Sequence, residues 1–189
     1  METLLSLAIG IGLSAVCGFR GFASLPMVNT TRMSGHLRLV PGFEWIGTIP
    51  ALIALSAATV LEILAYFIPW LDYMPDMLAT PSAVTAGVVA SSSVLSDFQF
   101  FLKWCIALIG SGGIAGTVHG ATVSARMNSA AHTGVLSNSM VSATESFASL
   151  ATAIVAVLFP LSCLAWVGMI GFLIFRISKC FLFGQALVQ

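Results

Sequence analysis

The stretch ATVLEILAYFIPWLDYMPDMLATP, residues 58–81, begins as an apolar helix and ends in prolines and carboxylates. Glu62 lies inside the apolar run, Asp72 and Asp76 follow it, and the stretch contains no Lys, Arg or His. If the run crosses a membrane, Glu62 lies roughly 10 Å inside the end of the helix at Pro69. A charge at that depth is costly unless it faces the protein interior and finds a partner. The stretch therefore predicts a helical membrane protein whose interior neutralises these carboxylates.

The composition of the chain argues against an ordinary soluble domain. Of its 189 residues, 58% are hydrophobic and 7% are charged, and the mean hydropathy is +1.03, whereas soluble domains contain about 25% charged residues. Seven basic residues balance seven acidic ones, so no net charge draws the chain to nucleic acid. The four cysteines are far apart and are predicted to be reduced packing residues. A single integral-membrane domain over residues 1–189 is predicted.

Six apolar segments predict an all-α, polytopic transmembrane helical bundle, because about 20 apolar residues cross the hydrocarbon of a bilayer. They cover residues 4–28, 46–68, 82–95, 101–125, 140–159 and 161–175. The third segment is the shortest and either spans or re-enters, and a helix break is predicted at Pro69. Pro160 either separates two spans or kinks one long helix. Residues 126–139 carry no strong helix signal and are predicted to connect two helices.

The distribution of Lys and Arg leaves the orientation open. If six segments cross, one side receives Arg32, Arg38 and Lys103 while the other receives Arg126, Arg176 and Lys179. If the third segment re-enters, all of these except Lys103 lie on one side. The even split also allows insertion in both orientations, with an antiparallel homo-oligomer as a consequence.

Polar residues of separate helices are predicted to meet at one depth. If the third segment spans, Glu62, Glu145 and His119 come close together, below the loop that holds Asp72 and Asp76. Carboxylates at close range need a basic partner, a bound cation or protons of their own. These five residues are therefore the predicted ion- or substrate-binding site, with the identity of any metal left open.

Two arginines enter this prediction differently. Arg126 is expected to reach back along the membrane boundary and help to offset the carboxylates of residues 58–81. Arg20, near the opposite end of the first predicted helix, is left out of the site.

Each site residue also has a plainer explanation. Glu62 is also explained as a protonated, hydrogen-bonded link between helices, and Asp72 and Asp76 as parts of a solvated turn. Glu145 lies in the first turns of its helix, where the helix dipole favours a carboxylate. His119 by itself is typical of a hydrogen-bonded core histidine.

Glycine recurs at every fourth residue of the fourth segment, in GSGGIAGTVHG, residues 110–120. Gly112, Gly116 and Gly120 are predicted to face a neighbouring helix at close range. The alternative explanation is that the glycines keep this helix thin beside His119, so that a pathway through the protein can open there.

Four motifs carry a resemblance to a known family: CGFRGF (17–22), ATVLEILAYFIPWLD (58–72), ATPSAVTAG (79–87) and HTGVLSNSMVSATES (132–146). Their order resembles a bacterial family of small integral-membrane proteins catalogued only as a domain of unknown function. The E-x-x-A-x-x-x-P-x-x-D pattern that begins at Glu62 is its most specific part. The resemblance implies the bacterial inner membrane and a self-contained helical bundle, and it implies no activity.

The motifs that are absent guide the functional prediction. No nucleophile elbow, H-E-x-x-H, C-x-x-C or nucleotide loop is present, so an enzyme is not predicted and no cofactor is expected. The favoured function is a secondary transporter or channel with an intramembrane carboxylate site for a cation or proton, working in the lipid bilayer. The alternative is a structural or accessory membrane subunit whose buried carboxylates hold helices together.

Overall fold

The computed structural model describes the backbone of residues 2–65, 73–133 and 135–186. Within these ranges it describes all side chains except those of residues 2, 73–78, 128–133, 135–142, 173–175 and 177–186. The predicted all-α fold is confirmed, since the described residues form helices and no strand. The helices are α1 (Glu2–Phe19), α2 (Ser24–Met33), α3 (Ile49–Ala65), α4 (Tyr73–Val94), α5 (Phe100–Cys105), α6 (Gly112–Thr133), α7 (Val135–Leu158) and α8 (Pro160–Ala186). A 3-10 turn (Glu44–Gly47) precedes α3, and a π-helical segment (Ile106–Ser111) joins α5 to α6.

The first predicted segment, 4–28, is a helical hairpin and not one helix. Cys17 Sγ and Ser24 Oγ share a hydrogen bond of 2.7 Å, although two residues seven apart in a continuous helix are separated by about 10 Å along its axis. The chain therefore reverses over residues 20–23, and α2 runs back beside α1. We call residues 18–23 the hairpin tip.

The reversal at the hairpin tip changes the direction of the next helix. Asn29 Nδ2, late in α2, donates a hydrogen bond of 2.9 Å to the carbonyl of Thr48, just before α3. At the other end of α3, Glu62 bonds the backbone of Gly21 and Phe22. Hence α3 is antiparallel to α2 and parallel to α1, and the end of α3 lies beside the hairpin tip.

Helix α1 is the centre of the bundle, and α4 packs antiparallel to it. Gly10 approaches Ser91, whereas Gly21 approaches Ser82, nine residues earlier in α4. The rod formed by α5, the π-helical segment and α6 then runs parallel to α1. Ser111 Oγ donates to Ser91 Oγ at 2.7 Å, and Ser91 lies beside Gly10 of α1. Later in the rod, His119 reaches the carbonyl of Gly18, which is later in α1.

Helices α7 and α8 form a tight hairpin at Pro160, so the predicted break there is confirmed. Trp166 Nε1 donates to Thr152 Oγ1 at 3.2 Å, whereas 14 residues of straight helix would separate the two by roughly 20 Å. Gly12 of α1 lies against both helices, close to Ala156 and Cys163. Proline suits the first turn of α8 because its missing N–H has no partner to lose at that position.

The connections differ from the sequence prediction in two places. The expected connection over residues 126–139 is wrong, because α6 continues to Thr133 and α7 begins at Val135. The stretch contains no proline, and its alanines, Arg126 and Met127 are compatible with a helix. The third segment, 82–95, is longer than predicted and forms the end of the 22-residue helix α4, with Pro81 inside it. The break expected at Pro69 lies outside the described residues.

Many large apolar side chains in the described part of the bundle lie on its outside. Phe100, Phe101 and Ile109 are 76%, 80% and 78% exposed. The interior is instead rich in small and polar side chains, among them Ala8, Ala15, Ala83, Ala90, Ala107, Ser14, Ser24, Ser91, Ser92, Ser93 and Ser111. Such small residues let helix backbones approach closely.

One helix in the described part of the chain, Phe100–Met127, is long and apolar enough by length and composition to cross a membrane. Four shorter apolar helices accompany it: Thr3–Phe19, Ile49–Ala65, Ala143–Leu158 and Pro160–Phe172. These apolar helices favour association with a membrane.

The fold-back of α2 is testable by cross-linking. We expect Ser24→Cys to form a disulfide with Cys17 in a chain whose other three cysteines are serine, because the two side chains already touch. Trypsin cleaves after Arg20, so the two halves of the hairpin stay joined only through that disulfide, which mass spectrometry detects. The same chain with Cys17→Ser is the control, and free fragments from the first variant after oxidation would argue for a continuous helix.

Candidate functional site

The carboxylate of Glu62 is held by backbone N–H groups of the hairpin tip. Gly21 N donates to Oε1 at 2.8 Å, and Phe22 N donates to Oε2 at 3.1 Å. Both donors lie just before α2, where N–H groups lack helical partners and the helix dipole favours negative charge. Among the described residues no salt bridge involves Glu62. Two backbone N–H groups therefore stabilise the carboxylate of Glu62, for which residues 58–81 contain no basic side chain.

Arg20 lies at the same end of the bundle as Glu62, so its predicted position near the opposite end is wrong. Its side chain is only 1% exposed, and Nη2 donates to Ser146 Oγ of α7 at 3.1 Å. Arg20 and Glu62 lie at opposite ends only if the first two predicted segments are antiparallel. The extra reversal through α2 makes α1 and α3 parallel and brings the two residues to the same end.

Glu145 and Arg126 form a buried, two-pronged ion pair. Arg126 Nε donates to Oε1 at 2.9 Å, and Nη2 donates to Oε2. The side chain of Arg126 is 4% exposed and that of Glu145 is 6% exposed. Paired donors of this kind are among the stronger hydrogen bonds in proteins. Among the described residues Arg126 thus pairs with a glutamate of α7. The carboxylates of Asp72 and Asp76, which it was also expected to offset, lie outside the described side chains.

His119 lies against the end of α1. Its Nδ1 is 3.2 Å from the carbonyl oxygen of Gly18, and the ring is 2% exposed. That carbonyl is one of the last four of its helix, which have no partner within the helix. His119 therefore ties α6 to the hairpin tip.

The structure brings three of the predicted site residues to one end of the bundle. Glu62 contacts the hairpin tip directly, His119 contacts it through Gly18, and Glu145 is the neighbour of Ser146, which holds Arg20. Asp72 lies outside the described residues, and for Asp76 only the backbone, in α4, is described. The described residues contain no group of three or more His, Cys, Asp or Glu side chains able to hold a metal ion.

The sequence pattern did not predict the contacts made by Arg20, by Ser146 and by the backbone N–H groups of Gly21 and Phe22. The motif CGFRGF did contain a signal for a turn, since Arg20 and Gly21 interrupt an apolar run. Such an interruption is compatible with a turn as well as with a helix.

The glycine stripe of α6 is close-packed at one end only. A Cβ on Gly112 would stand 3.2 Å from Val88, and one on Gly116 would make an ordinary contact of 3.5 Å with Val84. Gly120 is exposed, with no atom of a described residue within 4 Å of that point, so the prediction fails there. The tightest approaches of this kind lie instead on α1, at Gly12 and Gly18.

A cavity of about 320 Å³ lies beside the hairpin tip, between α2, α3 and α7. Its described lining is Arg20, Ala23, Met27, Thr59, Ile63, Ser146, Phe147, Ser149, Leu150 and Ala153. Arg20 is the only charged residue among these. The cavity is at the lower end of the size range of small-molecule sites.

Comparison with known proteins gives a family but no activity. No curated protein matches the chain, and no solved structure matches it. The model of one family, described as "Domain of unknown function (DUF4126)", matches residues 7–179. Because this match covers most of the chain, the protein belongs to the DUF4126 family.

Proposed function

We propose that this protein is a small, multi-pass protein of the bacterial inner membrane that works as a secondary transporter or channel for a cation or proton. Glu62 is the exchanging carboxylate, and His119 and Glu145 belong to the same site. The lipid bilayer is its solvent, and a homo-oligomer is compatible with its even charge.

The distribution of side chains supports a membrane location. Large apolar residues cover the outside of the described helices, while Arg20, Lys103, His119, Arg126 and Glu145 are buried. This is the arrangement that a bilayer favours, since ionisable groups are excluded from lipid and small residues serve helix packing. The resemblance of the sequence to an inner-membrane family supports the specific membrane.

The contacts of Glu62 are the observation that carries the exchange proposal. Its partners are two N–H groups at a helix reversal, and the side chain is half-buried beside Gly21. Reversed or broken helices expose backbone groups at the ion sites of many transporters. Protonating Glu62 removes the charge that these N–H groups stabilise, and so couples proton or cation occupancy to the position of the hairpin tip.

The proposal is tested by Glu62→Gln in reconstituted vesicles. We expect proton or cation flux, followed with a pH-sensitive dye and with tracer cations, to fall to that of protein-free vesicles. The amide keeps the size of the side chain but cannot exchange a proton at physiological pH. The matched control is Glu44→Gln in the 3-10 turn, where the carboxylate is exposed. If Glu62→Gln carries every ion at the rate of the unchanged protein, Glu62 is not the exchanging carboxylate.

A second candidate function rests on the Arg126–Glu145 pair. A buried ion pair with two hydrogen bonds is well suited to joining α6 and α7 as part of an accessory membrane subunit. In that case no ion would be carried, and a partner membrane protein would co-purify in mild detergent. Saturable flux by the purified chain alone would exclude this alternative.

A further inference from the structure

Lys103 of α5 is a buried cation whose partners among the described residues are two aromatic rings. Its Nζ lies 5.6 Å from the ring centroid of Phe43 and 5.8 Å from that of Trp104, and the residue is 8% exposed. Both distances are within the range of a cation–π attraction. An ammonium also carries three N–H donors, and a ring face offers them no oxygen acceptor.

The described part of the chain supplies neither a hydrogen bond nor an ion pair to Lys103. Glu44, next to Phe43, and Asp97, just before α5, are both exposed, and neither forms a salt bridge with it. Lys103 Nζ is nevertheless not among the buried side-chain atoms of the described residues that lack a partner. The ammonium therefore reaches the surface, where its N–H groups can bond an acceptor that does not belong to the described chain.

The position of Lys103 indicates where that acceptor comes from. Lys103 is the fourth residue of Phe100–Met127, the described helix that is long and apolar enough to cross a membrane. Ser96 and Asp97, just before this helix, are exposed polar residues, whereas Phe100 and Phe101 are 76% and 80% exposed. Lys103 thus lies about 5 Å inside the start of the helix, at the level where aromatic residues and lipid head groups meet.

The charge of Lys103 indicates which head group suits the site. A lysine at the membrane surface attracts anionic phospholipids, and the phosphate of such a lipid offers oxygen acceptors to the N–H donors. A zwitterionic lipid brings its own cation, which competes with Lys103 for the phosphate. An anionic phospholipid is therefore favoured over phosphatidylcholine.

We propose that Lys103, Phe43 and Trp104 form a binding site for the phosphate of an anionic phospholipid, whose acyl chains lie along Phe100 and Phe101. The site rests on the membrane location proposed above but not on ion exchange at Glu62. Glu62 contacts the hairpin tip, whereas Lys103 lies towards the opposite end of the bundle, before the Ser111–Ser91 contact.

Quenching of Trp104 fluorescence by brominated lipids tests the proposal. With phenylalanine at positions 45, 70 and 166, Trp104 is the only tryptophan of the chain. The protein is placed in phosphatidylcholine vesicles that contain a small fraction of either brominated phosphatidylglycerol or brominated phosphatidylcholine. We expect phosphatidylglycerol to bind beside Trp104 about fivefold more strongly than phosphatidylcholine, the effect of one basic residue beside anionic lipid. Equal quenching by the two lipids would overturn the anionic head group.

Two basic residues form a matched pair for locating the lipid. Lys103→Gln is expected to lower the binding of phosphatidylglycerol to that of phosphatidylcholine. Arg38→Gln removes the same charge from an exposed position, in the loop that Val40 joins to the end of α4, and is expected to leave the preference unchanged. A preference that survives in Lys103→Gln, or that falls equally in both variants, would overturn the site. If Lys103→Gln does not fold, as judged by size-exclusion elution and circular dichroism, Arg38→Gln and the comparison of the two brominated lipids decide the question.

Inorganic phosphate distinguishes a bound lipid from a free anion. We expect phosphate to change the quenching by brominated phosphatidylglycerol no more than sodium chloride of the same ionic strength does. Phosphate that abolishes the preference where sodium chloride does not would indicate a site for the free anion and would overturn the lipid.

Two further results separate this site from the proposed function. Loss of the lipid preference in Lys103→Gln with intact ion flux, together with loss of flux in Glu62→Gln with intact lipid preference, is expected if the two sites are independent. An absence of quenching by both brominated lipids would place Trp104 outside the bilayer and would contradict the membrane location on which both proposals rest.

Discussion

Replacing Glu145 with leucine is expected to lower the free energy of unfolding by about 3–5 kcal/mol, the usual cost of removing one partner of a buried ion pair. The leucine leaves the Arg126 guanidinium at a site that is 4% exposed, without the carboxylate that accepts two of its hydrogen bonds. The measurement is reversible unfolding by denaturant in mixed micelles, followed by circular dichroism.

The double variant Arg126→Met with Glu145→Leu separates an ion-pair effect from a packing effect. Because it removes both charges together, we expect it to recover most of the lost stability. Glu44→Leu, on an exposed carboxylate, is the control and is expected to change stability little. If Glu145→Leu alone unfolds at the same denaturant concentration as the unchanged protein, the pair contributes nothing to the fold.

Gly18→Leu is expected to destabilise the bundle by about 3 kcal/mol or more, through overpacking between α1 and α6. A Cβ on Gly18 would stand 2.5 Å from Val118 Cβ and 2.8 Å from the backbone oxygen of Ala115. That oxygen cannot rotate away, so the two helices must separate and the His119 contact with Gly18 is disturbed.

Gly120→Leu is the matched control on α6. No described atom lies within 4 Å of a Cβ built there, and leucine has a higher helix propensity than glycine. We expect its stability to be equal to or slightly above that of the unchanged protein. If the two substitutions cost the same, the close approach at Gly18 does not hold the bundle together.

The local sequence pattern was sufficient to predict the helices and to predict that several polar residues face the interior. Runs of apolar residues predict helices because the backbone of an apolar segment satisfies its own hydrogen bonds best in that form. Pro160 predicts a break because proline cannot donate to the preceding turn. Glu145 and His119 were expected inside because a charge or a ring nitrogen among apolar neighbours needs a partner, and both are buried.

The partners of those polar residues were not readable from local pattern. Periodicity shows which face of a helix is apolar, but the direction of each helix depends on every turn before it. The reversal at residues 20–23 lies within one apolar run. Hydropathy averaged over a sliding window therefore assigns α1 and the start of α2 to one segment. That single error placed Arg20 far from Glu62.

The sequence by itself determined a helical protein with an apolar exterior and polar residues that must turn inward, since these follow from the free energy of each segment and its surroundings. Only the tertiary structure decided that the N–H groups of Gly21 and Phe22 hold Glu62, and that Arg126 pairs with Glu145. The same packing also made the cavity between α2, α3 and α7. These features join residues from different helices, and the energy of each contact exists only after all the helices have taken their positions.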